Sequence, residues 1–447
     1  MKAKTFKGGV HPRGFPQNAG HEGKELSNKK EIEKFAAPQK VLIHLQQHIG
    51  SPAKPLVKRG DFVKKGQKIA DATGFVSIPM HSPISGKVTN IDIYPHPAGS
   101  SGEAIEIEND GKDEWEDSLE DRTNYLNMDP KEMLSRIQSA GICGMGGAGF
   151  PTHVKLSPPP QKPIDTVILN GVECEPYLTA DHRTMVEHSD SVIAGLQIIM
   201  KILGAPKGYI GIESNKPDAI KIMREKVKGV ANISVVSLHV KYPQGAEKQL
   251  IYAVTRRKVP AGGLPMDVGV VVQNVGTAWA IYEAVRYNKP SIERVTTVTG
   301  PIVKNPKNIL APIGTLVSDL INFCEGTYED ISKLISGGPM MGFALTTQAT
   351  PIIKGTSGIV IFGEASIFET KEHACIRCGG CVDVCPMQLA PTMIVDSVKN
   401  ASHEEAKKLH ITDCMECGSC AYVCPSHISL VQWIKLGKLE IAKLDRQ

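Results

Sequence analysis

Aromatic side chains make up only 5% of the 447 residues, and no run of lysine or arginine is interleaved with them. A formal net charge of just +4, spread along the chain, leaves no basic stripe of the kind a nucleic-acid surface requires, so no nucleic-acid partner is expected. Long hydrophobic runs are also missing. The longest, Val192 to Leu203, carries Lys201 and is too short to span a bilayer. The lysines between Met1 and Phe15 are followed by no apolar stretch, which excludes the signal-peptide pattern. What remains is 41% hydrophobic against 22% charged residues, enough for real cores and, at this length, for three or four domains.

Cysteine is concentrated where other signals are weak. Near the C-terminus stand Cys375, Cys378, Cys381 and Cys385-Pro386, then Cys414, Cys417, Cys420 and Cys424-Pro425. Three cysteines spaced by two residues let one tight turn point three thiolates at a single cubane, while the fourth, before proline, reaches the other cluster. The spacing therefore predicts two [4Fe–4S] clusters, one held by Cys375, Cys378, Cys381 and Cys424, the other by Cys414, Cys417, Cys420 and Cys385. Zinc knuckles usually show two CxxC pairs with histidine mixed in, and disulfides suit exported chains. Met387 to Asp413 predicts a helix between the two runs. Cys143, Cys174 and Cys324 read as small buried side chains.

In the N-terminal part, residues 1–39 form an extension and 40–110 read as short strands punctuated by turns. Val63 to Ile69 and Ser82 to Val88 resemble the biotinyl/lipoyl carrier fold, but the hairpin tip falls at Phe75 and no lysine lies between Asp71 and Ser85. A structural or docking role is expected in place of a swinging arm. Asn109 to Asn127 reads as a polar linker. Residues 128–290 open with Asp129-Pro130 as helix cap and first turn, followed by a helix to Gly141. Next come Gly144, Met145, Gly146, Gly147, Ala148, Gly149 and Phe150, with Lys155 close behind. Such a loop lets a backbone wrap a ligand and offers N–H groups to phosphate oxygens, with a lysine to neutralise charge. A helix precedes these glycines, which disfavours an ordinary dinucleotide fingerprint. Strands and helices then alternate from Asp165 to Tyr287, an α/β pattern, with the polar turn Asn170 to Pro176 at a strand end. Glu173 and Glu175 are the candidate catalytic carboxylates there; no nucleophile or ligand set accompanies them, so hydrolysis is not expected. Residues 291–365 predict a small mixed domain, with a turn at Lys304 to Asn308, a helix from Gly314 to Cys324, and Met340 and Met341 as core filler. Residues 366–447 hold the cysteine runs in a mostly helical fold.

These residues carry a resemblance. The loop Gly144 to Phe150 with Lys155 is similar to the flavin loop of the NADH-binding flavoprotein subunit of complex I and of NAD-linked hydrogenases. The turn at Asn170 resembles that family's NADESEP motif at Asn170, Glu173, Glu175 and Pro176, and departs at Val172, where the family has aspartate. Gly245-Ala246-Glu247 stands for its Gly-Glu-Glu, and Gln273-Asn274-Val275 for its Asn-Asn-Val. Together with Gly8-Gly9-Val10-His11-Pro12, a lysine-less lipoyl-like domain and two cubane motifs, the whole chain resembles the RnfC family, the C component of the Rnf (Rsx) complex. The resemblance implies a lipoyl-like β domain, a flavin/NADH α/β domain of complex I type, a soluble-ligand-binding β-grasp domain and a two-cluster ferredoxin-type domain.

It further implies non-covalent FMN bound at Gly144, Gly146, Gly147, Ala148, Gly149, Phe150, Lys155, Asn170, Glu247 and Asn274, with NAD(H) as substrate. A hydride brings two electrons and a cubane accepts one, so a flavin is needed to divide the pair. The expected setting is the cytoplasmic side of the cell membrane, as a peripheral subunit of an ion-translocating ferredoxin:NAD+ oxidoreductase. Its partners would be the other subunits and a ferredoxin-type iron–sulfur subunit. Competing readings are a soluble flavin/iron–sulfur reductase such as a cobalamin reductase, a relay without its own NADH site, and a non-redox scaffold.

Overall fold

The computed structural model describes residues 3–12, 22–366 and 371–446; residues 1–2 and 13–21 of the N-terminal extension, 367–370 and 447 lie outside them. Alternating apolar residues build the first domain. Its strands are β2 (Lys40–His44), β3 (Lys54–Pro55), β4 (Phe62–Val63), β5 (Lys68–Asp71), β6 (Met80–His81), β7 (Gly86–His96) and β8 (Ser100–Asn109), preceded by β1 (Ile32–Lys34) in the extension. One antiparallel sheet runs β2-β8-β7-β4 and a second β3-β5-β6, with Val41, Ile43, Ile69, Ile84 and Ile107 in the core between them. The β7/β8 hairpin extends past Ile91 to His96. Its outer residues are exposed or half-buried, so no apolar alternation announces them in the sequence.

In the second domain, α1 (Pro130–Ser139) is capped by Asp129, whose carboxylate accepts from the Lys131 amide at 2.8 Å. Then follow α2 (Thr152–Lys155), β9 (Thr166–Gly171), α3 (Ala180–Glu187), α4 (Ser189–Leu203), β10 (Lys207–Glu213), α5 (Pro217–Lys226), β11 (Ile233–Leu238), α6 (Glu247–Thr255), β12 (Val270–Asn274) and α7 (Val275–Tyr287). The four strands form an all-parallel sheet in the order β11-β10-β9-β12. Helices cover both of its faces, which is why β9 and β12 read as near-continuous apolar runs. Val167 and Leu169 face α1, α4 and α7, whereas Ile168, Val270 and Val272 face α6.

A third domain holds β13 (Glu293–Thr299), β14 (Lys307–Pro312), α8 (Val317–Phe323), β15 (Lys333–Ser336), β16 (Phe343–Ala344) and β17 (Gly358–Phe362). Its sheet runs β1-β14-β13-β17-β15-β16, so a strand of the N-terminal extension completes it by pairing in parallel with β14. Lys307 and Asn308, expected in a turn, belong to β14. The Asn308 side chain is buried there, donating to the Ser27 carbonyl at 2.9 Å and accepting from the Thr297 hydroxyl at 2.9 Å. α8 begins at Val317, after Gly314 has turned the chain with φ 89°. Met341 is exposed and does not fill the core.

The last domain is helical: α9 (Gly380–Asp383), α10 (Pro391–Lys399), α11 (His403–Lys408), α12 (Ser419–Tyr422) and α13 (Leu430–Leu444). Two helices, α10 and α11, occupy the stretch between the cysteine runs, and Ile394, Val395 and Val398 of α10 pack with Ile434 and Ile441 of α13. Among the described residues no helix is long and apolar enough to cross a membrane.

Candidate functional site

β9, β10 and β11 succeed one another to one side, and β12 returns to the other side of β9. The strand order reverses between β9 and β12, and the crevice at the carboxyl ends of such a pair is where open α/β sheets hold ligands. Asn170 and Asn274 are register partners at those two ends. Asn170 Nδ2 donates to the Gly245 carbonyl at 2.8 Å, and its Oδ1 accepts from the Val172 amide at 3.2 Å. Asn274 Oδ1 caps α7 by accepting from the Gly276 amide at 2.8 Å, and its Nδ2 donates to Asp181 at 2.6 Å. The glycine loop lies over them: a Cβ on Gly146 would stand 2.7 Å from Asn274 Nδ2. Gly146, Gly147 and Ala148 are exposed, Phe150 is half-buried, and the Gly144 amide donates to the Phe150 carbonyl at 2.9 Å. The lipoyl-like domain holds the far side of this loop, because the Gly149 carbonyl accepts from Ile49 at 3.1 Å and His153 Nε2 meets the Phe75 carbonyl at 3.0 Å. Lys155 Nζ and Glu247 Oε1, at the ends of α2 and α6, pair at 2.6 Å.

Glu173 and Glu175 reach the same turn, but each carboxylate is already engaged. Glu173 accepts from the Asp181 and His182 amides at 2.7 and 3.2 Å, satisfying donors at the N-terminus of α3. Glu175 accepts from the Met340 and Met341 amides of the third domain, both at 3.0 Å. Burial pushes Glu175 up to about 7 against the opposing pull of those amides and of Lys24. Burial and the neighbouring Glu173 charge likewise raise Asp181 to about 6. Val172, where the flavoprotein motif has aspartate, is buried in the apolar layer under α6.

The residues present fit a flavin. The loop backbone is open beside Gly147, where an added Cβ would meet nothing within 4 Å. Flanking the strand ends and the loop in sequence, the fully buried Gln244 has neither its Nε2 nor its Oε1 paired with any protein group, and the buried Gln273 Nε2 and Thr152 Oγ1 are unpaired as well. Buried polar atoms of this kind need a partner.

The two cysteine runs adopt matching backbones. Arg377 and Glu416 have φ 56° and 58°, Gly379 and Gly418 78° and 81°, Gln388 and His427 58° and 50°. The Arg377 amide donates to Cys375 Sγ and the Glu416 amide to Cys414 Sγ, both at 3.4 Å. Cys385, from the first run, lines one apolar pocket with Cys414, Cys417 and Cys420. Burial first, and the neighbouring thiols after it, Cys385 and Cys417 among them, push Cys414 up to about 11 and Cys420 up to about 12. Cys375 and Cys378 are exposed, Cys381 is buried and Cys424 half-buried. Among the described residues no three His, Cys, Asp or Glu side chains converge on one metal ion. The donor set, thiols presented by paired tight turns around an apolar pocket, suits cubanes, whose ligands are spread round a larger body than a single ion.

Profiles of four families match in chain order: the RnfC barrel sandwich hybrid domain over residues 4–112, the Nuo51 FMN-binding domain over 137–283, the SLBB domain over 295–344 and the 4Fe-4S dicluster domain over 374–428. The C component of the proton-translocating ferredoxin:NAD(+) oxidoreductase complex of Clostridium ljungdahlii is 52% identical over 438 residues, covering 98% of this chain and 94% of the relative. The chain belongs to the RnfC family of ion-translocating oxidoreductase complexes. The C component of the Na(+)-translocating ferredoxin:NAD(+) oxidoreductase complex of Acetobacterium woodii is 43% identical over 100% of this chain and 99% of its own length, and that of the ion-translocating oxidoreductase complex of Rhodobacter capsulatus 40% identical over 99% and 84%. A solved NAD+-reducing [NiFe]-hydrogenase aligns with 70% of this chain and 61% of its own at 19% identity and a TM-score of 0.48, too loose to bear on function.

Several groups in this member of the RnfC family carry no motif in the sequence. Lys24, buried in the extension, donates to the carbonyls of Glu173, Glu175 and Leu178 at 2.8, 2.8 and 2.7 Å. Lys216 donates to the Val172 carbonyl at 2.7 Å. Tyr242, at the turn before Gly245, is fully buried. Only the closeness of Tyr242 and Gln244 to Gly245-Ala246-Glu247 could have flagged any of them; a lysine in a polar extension carries no such signal.

Proposed function

We propose that the chain is the NADH-oxidising, electron-input subunit of a membrane-associated, ion-translocating ferredoxin:NAD+ oxidoreductase, passing electrons between NAD(H), FMN and two [4Fe–4S] clusters. The observation that carries this reading is the meeting of three parts at one place. The glycine loop, the strand ends at Asn170 and Asn274, and the cysteine runs all border the turn from Asn170 to Glu175 and its neighbour at Gly245. When bound, FMN supplies the conversion of a two-electron hydride into single electrons. The chain supplies everything else.

In this reading Gly144, Gly146, Gly147, Ala148, Gly149 and Phe150 cradle the flavin, and Lys155 neutralises its phosphate. Asn170, Glu247 and Asn274 orient its polar edge and the nicotinamide. Hydride transfer asks no carboxylate to move a proton, so Glu173 and Glu175 act by holding the turn rigid. Cys375, Cys378, Cys381 and Cys424 hold one cluster, and Cys414, Cys417, Cys420 and Cys385 the other. The other subunits of the complex, including a ferredoxin-type iron–sulfur subunit, are the electron partners. A peripheral position on the cytoplasmic side of the membrane follows from the place where NAD(H) is available.

Anaerobically reconstituted full-length protein is expected to contain FMN and about eight iron atoms, and NADH is expected to bleach the cluster absorbance. Protein loaded with metal that neither retains nor binds flavin overturns the reading.

A further inference from the structure

The two thiol sets are anchored differently. Tyr242 donates its hydroxyl proton to the Cys417 carbonyl at 2.7 Å, and both residues are buried. The Gly245 amide, on the flavin-side turn, donates to Cys174 Sγ at 3.3 Å, and Cys174, Tyr242 and Cys417 belong to one apolar cluster. Gln249, two residues beyond Glu247 on α6, donates to the Pro386 carbonyl at 3.2 Å. The N-terminal strap closes the joint from outside. Val10 exchanges backbone hydrogen bonds with Tyr242 at 2.7 and 2.8 Å, and the Gly9 amide donates to the Val384 carbonyl at 2.7 Å. A Cβ on Gly8 would stand 2.8 Å from the Cys385 carbonyl oxygen, so only glycine lets the strap pass. Cys375 and Cys378, in contrast, are exposed to solvent.

We propose that Tyr242 is the positioning residue that seats the Cys385, Cys414, Cys417 and Cys420 set against the flavin-side turn, with Gly8 to Val10 locking it. That set is where electrons enter, and the set of Cys375, Cys378, Cys381 and Cys424, whose first two thiols face solvent, is where they leave. The inference rests on the functional reading above and names the order within it. With FMN and both clusters bound, one NADH would give its hydride to the flavin and leave as NAD+; the two electrons would then pass one at a time through the entry set and the exit set, and the proton would go to solvent. Each passage reduces the ferredoxin-type acceptor by one electron, so two passages balance one NADH. A donor on the Cys417 carbonyl offsets the negative end of a dipole beside the entry cluster, which favours adding an electron there. Hydrogen bonding and solvent exposure are the levers by which a protein sets such potentials.

The test uses the full-length chain reconstituted anaerobically with iron, sulfide and FMN. A dithionite titration followed by EPR resolves two reduced-cluster signals, and Cys417→Ser and Cys378→Ser mark which belongs to which set. Tyr242→Phe keeps the ring and removes only the hydroxyl. It is expected to lower the potential of the signal marked by Cys417→Ser, to leave the other in place, and to speed iron loss from that set to a chelator about tenfold. Gly8→Ala is expected to move the same signal through Cys385. Movement of the other signal, or of neither while iron and flavin content are intact, overturns the proposal. Should Tyr242→Phe not fold, Gly8→Ala and Gln249→Leu decide: the same selective shift supports it and an unmoved signal overturns it. A wild-type chain that binds no flavin overturns the functional reading first, whereas unmoved potentials in fully loaded variants overturn this inference alone.

Discussion

Glu175 joins two domains through one buried carboxyl, and its protonation is coupled to folding. In the native chain burial raises it to about 7, above the ordinary value of 4.5 that it regains on unfolding. The native state therefore binds more protons between those values, so the stabilisation is complete below the lower one and is lost as pH rises through the upper. From pH 6 to 8 the wild type is expected to lose about 1 kcal/mol more stability than Glu175→Gln, read as a larger fall in Tm at constant ionic strength. At the flavin site, Lys155→Met is expected to weaken FMN binding roughly tenfold, about 1.4 kcal/mol, in a fluorescence titration. The glycines, Asn170, Glu247 and the eight cysteines stand out because their chemistry is unusual for their spacing. Gln244 and Lys24 do not, since an isolated amide or lysine looks the same in a solvated turn as in a sealed interior.

At the scale of the element, the alternation from β9 to α7 is evident in the sequence because the sheet is covered on both faces and β9 and β12 carry near-continuous apolar runs. Other elements are hidden for equally physical reasons. α3 carries Asp181, His182, Arg183 and Thr184 in its first turns, and partners outside the helix, the Glu173 carboxylate and the Asn274 and Asp218 side chains, hold it in place. β14 begins with Lys307 and Asn308, polar residues buried only because partners arrive from elsewhere in the chain. The glycine loop is fitted to the cap of α7. Gly146→Ala would thrust a methyl group at Asn274 and displace it from the Gly276 amide. Losing that cap costs roughly 1 kcal/mol of stability, and the variant is expected to fold, to retain its clusters and to bind FMN less tightly, as cofactor content after gel filtration would report.

At the scale of the whole molecule, the order of domains is readable because each has its own motif, but how they are tied together is not. Some of the ties are single side chains such as Glu175 and Tyr242, and others are made by the N-terminal extension. Lys24→Met leaves the carbonyls of Glu173, Glu175 and Leu178 without their donor and is expected to lower stability by on the order of 3 kcal/mol, measurable as a lowered Tm. A chain lacking residues 1–39 would bare the edge of β14 as well as remove the strap, and unpaired strand edges seek other chains. Light scattering during refolding is expected to show aggregation that the intact chain avoids.

The parallel pairing of β1 with β14 also has a consequence in time. Asn308 bonds the Ser27 carbonyl across 281 positions of sequence, so β1 leaves the ribosome long before β14 and finds its berth only once β14 has followed it. Until then it must wait unmated, and the β14 edge that it covers stays open until the two meet.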